Sequence, residues 1–254
     1  MIRLFRPGFL FGLVLAAAAA GAQEVGEPAC PKEPVRFVVL GDSLADGLWG
    51  AIFRSYARCK SVETLRLTEV SDGLAKTSAE GWLARYATAA TDLDTRQSDV
   101  VIVQMGANDI TTIREGRVRE SFASDTWNTL YEGRVAQLTR GLSEQAAQVF
   151  WFGLPIVGKS RLEDPYRTIS TLQKTAVAKS GGTFVDIHQL TTFGTGEYAQ
   201  NGTHGGRLQQ LRASDKVHFT KAGYDFVAAE ILDDLARITQ NMDRRAALQD
   251  VQLQ

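Results

Sequence analysis

Residues 38–47 read V-V-L-G-D-S-L-A-D-G. The first three close the apolar run R-F-V-V-L, Arg36 to Leu40, which suits a strand covered on both faces. Gly41-Asp42-Ser43 then makes a tight turn, and the segment from Ala45 to Ala57 carries Leu48, Ile52, Phe53 and Tyr56 at helical spacing. A buried strand that turns sharply into a helix is the building unit of an α/β fold. Ser43 stands at the helix start, where it is either an ordinary N-cap or a nucleophile at the rim of a sheet.

The same alternation continues along the chain. Strands are expected at Val62–Val70, Asp99–Met105, Val149–Leu154 and Thr183–Ile187. Helices are expected at Glu80–Tyr86, Asp125–Gln145, Pro165–Ser180 and Ala222–Ile238, with a Gly/Thr-rich loop from Leu190 to Arg207 before the last. Val62 to Val70 alternates in polarity and reads as a strand nearer an edge. Helices of crossover length between strands imply a doubly wound, mostly parallel sheet in a three-layer α/β/α arrangement. Ligands in such sheets bind outside the carboxyl ends of the strands, so chemistry is sought there. Neither an internal repeat nor a linker marks a second domain. One domain is expected over residues 23–240, with a polar tail over 241–254.

The chain opens M-I-R-L-F-R-P-G, with Arg3 and Arg6 ahead of an apolar run of about fifteen residues, short of the roughly 20 that a spanning helix needs. Ala20-Gly21-Ala22 offers small residues for cleavage before Gln23. Residues 1–22 therefore read as a signal peptide and imply a periplasmic or secreted protein without stable membrane insertion; an uncleaved anchor is the alternative. The 28 basic and 29 acidic side chains leave a formal charge of −1, which argues against a nucleic-acid partner. The two cysteines, Cys30 and Cys59, precede the first and second strands. If those strands are parallel neighbours, the cysteines meet at one end of the sheet as a disulfide; two free thiols are the alternative. No C-x-x-C pair or Cys/His cluster points to a metal, and no cofactor is expected.

Four short stretches carry the chemistry. Gly41-Asp42-Ser43-Leu44 follows the first strand, and the helix it opens presents N–H groups to developing negative charge. Ser71-Asp72-Gly73-Leu74 follows the second strand; Gly73 is either a turn glycine or a backbone N–H aimed at a ligand. Gly106-Ala107-Asn108-Asp109 follows the third strand. The Asn108 amide can donate to an oxyanion, or it serves a turn, and Asp109 reads as the cap of the next segment. Asp215-Lys216-Val217-His218 precedes the last helix, and a carboxylate three residues before a histidine can orient the imidazole as a general base. His188 and His204 have no carboxylate at matching spacing and read as surface or loop residues.

The ordered set G-D-S, Gly, G-x-N-D, D-x-x-H resembles the SGNH (GDSL) hydrolase superfamily over nearly all of the chain after residue 22. The stretches S-D-G-L and L-R-A-S-D-K-V-H-F-T-K-A-G-Y resemble an exported bacterial subgroup catalogued as a domain of unknown function, DUF459. The resemblance implies a flavodoxin-like hydrolase fold. It further implies Ser43 as nucleophile, His218 as base and Asp215 as its partner. The oxyanion hole would be Ser43 N–H, Gly73 N–H and the Asn108 side chain. Asp215-Lys216 departs from the Asp-Gly common in that subgroup, without removing the Asp–His contact.

The expected activity is hydrolysis of short acyl esters through an acyl-enzyme. From the resemblance and the compartment, the expected substrate is an O-acetylated carbohydrate of the envelope, such as a periplasmic polysaccharide or peptidoglycan, or another small ester. Trp49, Phe193 and Tyr198 are candidate sugar-facing aromatics, with core packing the plainer role of each. Two alternatives stand: an O-acyltransferase that passes the same acyl group to a sugar hydroxyl, and a non-catalytic envelope-binding protein of this fold. A lipase is disfavoured because no extended apolar lid is visible. The sequence carries no handle on oligomeric state.

Overall fold

A computed structural model describes residues 28–90, 99–146 and 148–232. The expected signal peptide at 1–22 and the tail at 241–254 lie outside the described residues. The strands β1 (Val35–Gly41), β2 (Val62–Thr68), β3 (Asp99–Gln104), β6 (Gln148–Phe152) and β7 (Thr183–Val185) form a five-stranded parallel sheet, the middle layer. Their order across it is β2-β1-β3-β6-β7. The central strand β3 is buried at every residue, whereas the edge strand β2 is only half-buried. The continuous apolar runs and the alternating one therefore sort into centre and edge, as the covering of the two faces requires.

Helices α1 (Ser43–Ser55), α2 (Ala79–Ala90), α3 (Asp125–Ser143) and α4 (Ser160–Ala178) form the outer layers with α5, described over residues 221–232. The helices α2, α3 and α4 pack side by side, while α1 packs with α5. Gly47 of α1 lies so close to α5 that an added Cβ would stand 2.0 Å from the Tyr224 ring. The helix α4 starts at Ser160, ahead of its expected start at Pro165. Pro165 lies inside it and leaves one carbonyl of the first turns without its intrahelical donor. The last strand stops at Val185, short of the expected Ile187.

Two hairpins were not expected. The first, β4 (Ile113–Glu115) with β5 (Val118–Glu120), turns around Gly116 in the left-handed region. The second, β8 (Asn201–His204) with β9 (Arg207–Gln210), turns on Gly205-Gly206, both left-handed. It replaces part of the expected loop from Leu190 to Arg207. Its strands are polar and lack the apolar alternation by which strands are read, although a Gly-Gly pair is a recognised hairpin turn.

At the amino ends of the strands the sheet is clamped twice. The Arg36 guanidinium meets both Asp99 carboxylate oxygens at 2.7 and 2.6 Å, and Tyr86 Oη donates to Asp99 at 2.7 Å. Beside this pair, Cys30 and Cys59 are joined by a disulfide with a Cα–Cα distance of 5.3 Å. They meet because β1 and β2 are parallel neighbours that both start at this end. No helix among the described residues is long and apolar enough to cross a membrane.

The bridge closes a loop with a sequence separation of 29. Chain entropy assigns such a link about 3–4 kcal/mol, roughly 10 °C for a domain of this size. Thermal unfolding of Cys59→Ser should show that drop, and an unchanged midpoint would show that the bridge contributes nothing.

Candidate active site

At the head of α1 the serine and its neighbour divide two tasks. Asp42 is the N-cap, its carboxylate accepting from Leu44 N–H at 2.9 Å. Ser43 is the first helical residue, so its hydroxyl is not used in capping. Of the two roles open to Ser43, the cap belongs to Asp42.

Ser43 Oγ lies 2.7 Å from His218 Nε2, and His218 Nδ1 lies 2.6 Å from Asp215 Oδ2. A nitrogen facing a carboxylate carries the proton, so Nδ1–H donates to Asp215 and Nε2 accepts from the Ser43 hydroxyl. Asp215 Oδ1 also accepts from the N–H groups of Val217 and His218 at 2.9 and 3.0 Å. Partial burial pushes the Asp215 pKa up, but the hydrogen bonds from the imidazole and the two N–H groups outweigh it and hold it at about 2. Asp215 is therefore ionised at neutral pH.

The loop that carries this pair is held by Arg212, which is fully buried. Its guanidinium donates to the carbonyls of Ile156 at 2.7 Å and Val217 at 2.8 Å, and lies over the Phe219 ring. Burial lowers its pKa to about 10, which still leaves it charged at neutral pH. Lys216 has φ 62, a left-handed position where glycine fits without strain. The departure from Asp-Gly noted in the sequence is therefore a strained lysine in a glycine's conformation.

The three remaining strand-end loops are stitched by two buried carboxylates. Asp42 Oδ2 reaches from the first loop to the N–H groups of Gly106 and Ala107 in the third, at 3.1 and 3.0 Å. Asp109 reaches from the third loop to the second, accepting from Leu74 N–H at 3.2 Å and Ala75 N–H at 2.9 Å. It also accepts from Tyr131 Oη at 2.8 Å. Asp109 is thus no simple cap of the following segment, as its place in the sequence suggested. Burial raises the Asp42 pKa to about 7 and that of Asp109 to about 6, against the downward pull of their N–H partners.

Asn108 Nδ2 donates to the Asp72 carbonyl at 3.2 Å, which places its amide beside the second loop. Gly73 lies there too, and a Cβ on it would meet Asp109 Oδ1 at 2.2 Å. Its N–H, however, donates to Asp72 Oδ1 at 2.8 Å. Asn108 and Gly73 thus stand together, with one donor of each engaged by Asp72.

The other histidines are paired or packed. His188 Nε2 lies 2.6 Å from Glu163 Oε1, so it has a carboxylate partner after all, one brought from α4. His204 sits in β8 with its ring against Phe226. Of the candidate sugar-facing aromatics, Phe193 packs on Phe226 and Tyr198 against Gly158 and Arg212, while the half-buried Trp49 stacks on Phe53, which is exposed. Sequence reasoning passed over Asp42 and Arg212. The helix-capping position of Asp42 was the signal for the first, whereas Arg212 stands in a polar stretch from Gln209 to Lys216 that carries no signal for burial. No group of three or more metal-ligating side chains occurs among the described residues.

Solved structures share the parallel α/β/α fold. A member of the lipolytic protein G-D-S-L family from Veillonella parvula DSM 2008 aligns with a TM-score of 0.54 at 17% identity, over 80% of this chain and 99% of that one. LAE5, an alpha/beta hydrolase enzyme from the metagenome of Lake Arreo, aligns with a TM-score of 0.53 at 15% identity, over 80% and 94%. A GDSL-like lipase from Bacteroides thetaiotaomicron VPI-5482 aligns with a TM-score of 0.51 at 15% identity, over 84% and 92%. At these identities the likeness is one of fold. No curated protein matches the sequence significantly. Residues 36–234 match the family described as protein of unknown function DUF459, and the chain belongs to that family.

The buried acids set a pH dependence. The Asp109 pKa rises from 3.8 to about 6 on folding. Its stabilising contribution is therefore full below the unfolded value and is lost as the pH climbs through the folded one. The stability margin of the wild type over Asp109→Asn should shrink between about pH 4 and pH 6 and level off above that in urea titrations. A margin that widens would contradict the raised pKa.

Proposed function

We propose that the protein is a serine esterase in which Ser43 is the nucleophile, His218 the general base and Asp215 the partner that orients it. The observation that carries this reading is the continuous relay from Ser43 Oγ through His218 to Asp215, at 2.7 and 2.6 Å. His218 takes the hydroxyl proton as Oγ attacks the ester carbonyl. The oxyanion draws on Ser43 N–H at the head of α1, on the second Asn108 Nδ2 hydrogen and on Gly73 N–H. Collapse of the intermediate expels the alcohol, which takes its proton from His218. Water then attacks the acyl-enzyme by the same route.

The substrate we propose is a short acyl ester, O-acetyl first, on an envelope or extracellular glycan. Two observations support it. The basic start and apolar run of residues 1–22 point to export. The side chains of His218 and Asp215 are 35% and 42% exposed, so a polymer can reach the relay without entering a deep cavity.

A fluorophosphonate tests the chemistry directly. Ser43 Oγ would form a bond to phosphorus, fluoride would leave, and the proton would pass to His218. Wild type should be labelled and Ser43→Ala should not; a folded wild type that resists labelling would favour the non-catalytic alternative. On p-nitrophenyl acetate, Asn108→Ala should lower kcat by about 100-fold with its fold intact, the weight of one oxyanion donor. Turnover near the wild-type rate would remove Asn108 from the hole. Product analysis on an acetylated glycan, with and without a sugar acceptor, separates hydrolysis from transfer.

A further inference from the structure

We propose that Asp72 is a latch on the oxyanion hole: it holds Gly73 N–H in the resting protein and must turn away for the third donor to act. The inference rests on the esterase reading above and concerns how that site is controlled.

The contacts converge on one residue. The Asp72 carboxylate accepts from Gly73 N–H through Oδ1, while its carbonyl accepts from Asn108 Nδ2. Asp72 thus touches two of the three proposed oxyanion donors. Its effect on them differs. Asn108 has a second amide hydrogen to offer, but Gly73 has a single N–H. A carboxylate oxygen 2.8 Å from that nitrogen stands where an oxyanion must stand, since both need the same hydrogen at the same distance. Two negative oxygens on one N–H repel, so the resting hole offers Ser43 N–H and Asn108 alone.

The surroundings show how the latch is held and where it goes on release. Asp72 Oδ2 accepts from Thr77 Oγ1 at 2.8 Å and from Arg85 Nη2 at 3.2 Å. Arg85 lies over the Trp82 ring, 4.4 Å from its centroid, which fixes the guanidinium beside the loop. A small rotation toward Arg85 would free Gly73 and keep the carboxylate paired. The backbone on the other side is strained, because Ser71, immediately before Asp72, has φ 65. A serine held in the left-handed region marks a segment whose conformation the surroundings impose. Leu74 and Ala75 are pinned to Asp109 just beyond, so the peptide joining Asp72 and Gly73 is held from both sides. Asp72 is a positioning residue: it acts through Gly73 and touches no reacting atom.

Wild type, Asp72→Ala and Asp72→Asn are compared for fluorophosphonate labelling rate, for kcat and KM on p-nitrophenyl acetate, and for the Gly73 amide resonance. Asp72→Ala should be labelled about tenfold faster, the weight of one charge-assisted hydrogen bond, with kcat raised and KM unchanged. Asp72→Asn keeps the side-chain shape with a neutral acceptor and should fall between the two. If Asp72→Ala fails to fold, Asp72→Asn carries the test with a rise of a few-fold. In a folded variant, labelling at or below the wild-type rate overturns the latch. The Gly73 amide proton should move upfield in either variant, without any reference to activity. A resonance that stays put shows that the bond to Asp72 does not exist. Failure of wild type to be labelled at all, with the Gly73 shift intact, instead overturns the esterase reading.

Discussion

Asp42 and Asp109 are fully buried, and each spends its oxygens on the backbone of a different loop. Carboxylates are costly to remove from water, and such a pair persists only where hydrogen bonds compensate it. Here that compensation is also what assembles the site. Asp42 ties the serine loop to the asparagine loop, and Asp109 ties the asparagine loop to the glycine loop. Three segments far apart in the chain are thereby tied together at the carboxyl ends of the strands. Remove either acid, and N–H groups that face inward lose their acceptors while a strand-end loop loses its anchor.

Arg212 performs the matching task for the fourth segment. It meets three carbonyls, those of Ile156, Val217 and His218, and so binds the histidine loop to the loop after β6. The four segments are positioned by ionisable groups buried beneath them, and the groups proposed to react are the more exposed ones above. That division suits catalysis, because donors must be aimed before charge develops, and rigid supports keep them aimed. The raised acid pKa values and the left-handed Ser71 and Lys216 are where stability is given up for that arrangement.

How legible was this in the chain itself? Ser43, Asn108, Asp215 and His218 could be singled out because strand ends can be read from apolar runs, and a strand end is where a parallel sheet displays side chains. The Asp215–His218 pair is local, three residues apart, so spacing alone suggested it. The cysteine bridge followed once neighbouring parallel strands were assumed. The Glu163 partner of His188 was not readable, since it comes from a helix 25 positions away. The polar hairpin β8–β9 was missed because its strands show no alternation and are held by backbone pairing.

By itself the sequence determined the fold class, the order of the strand ends and which residue types stand on them, because hydrophobic periodicity and turn residues are local properties. Only the tertiary structure decided which oxygen each donor faces. Asp42 meets Gly106 across a separation of 64, and Asp109 meets Ala75 across 34. In the sequence Asp42, Asp72 and Asp109 are three similar acids beside three similar turns. Folding makes the first a cap and a tie, the third a tie, and the second the residue that occupies Gly73. A carboxylate's role is set by the N–H groups around it, and those are placed by packing at a distance along the chain.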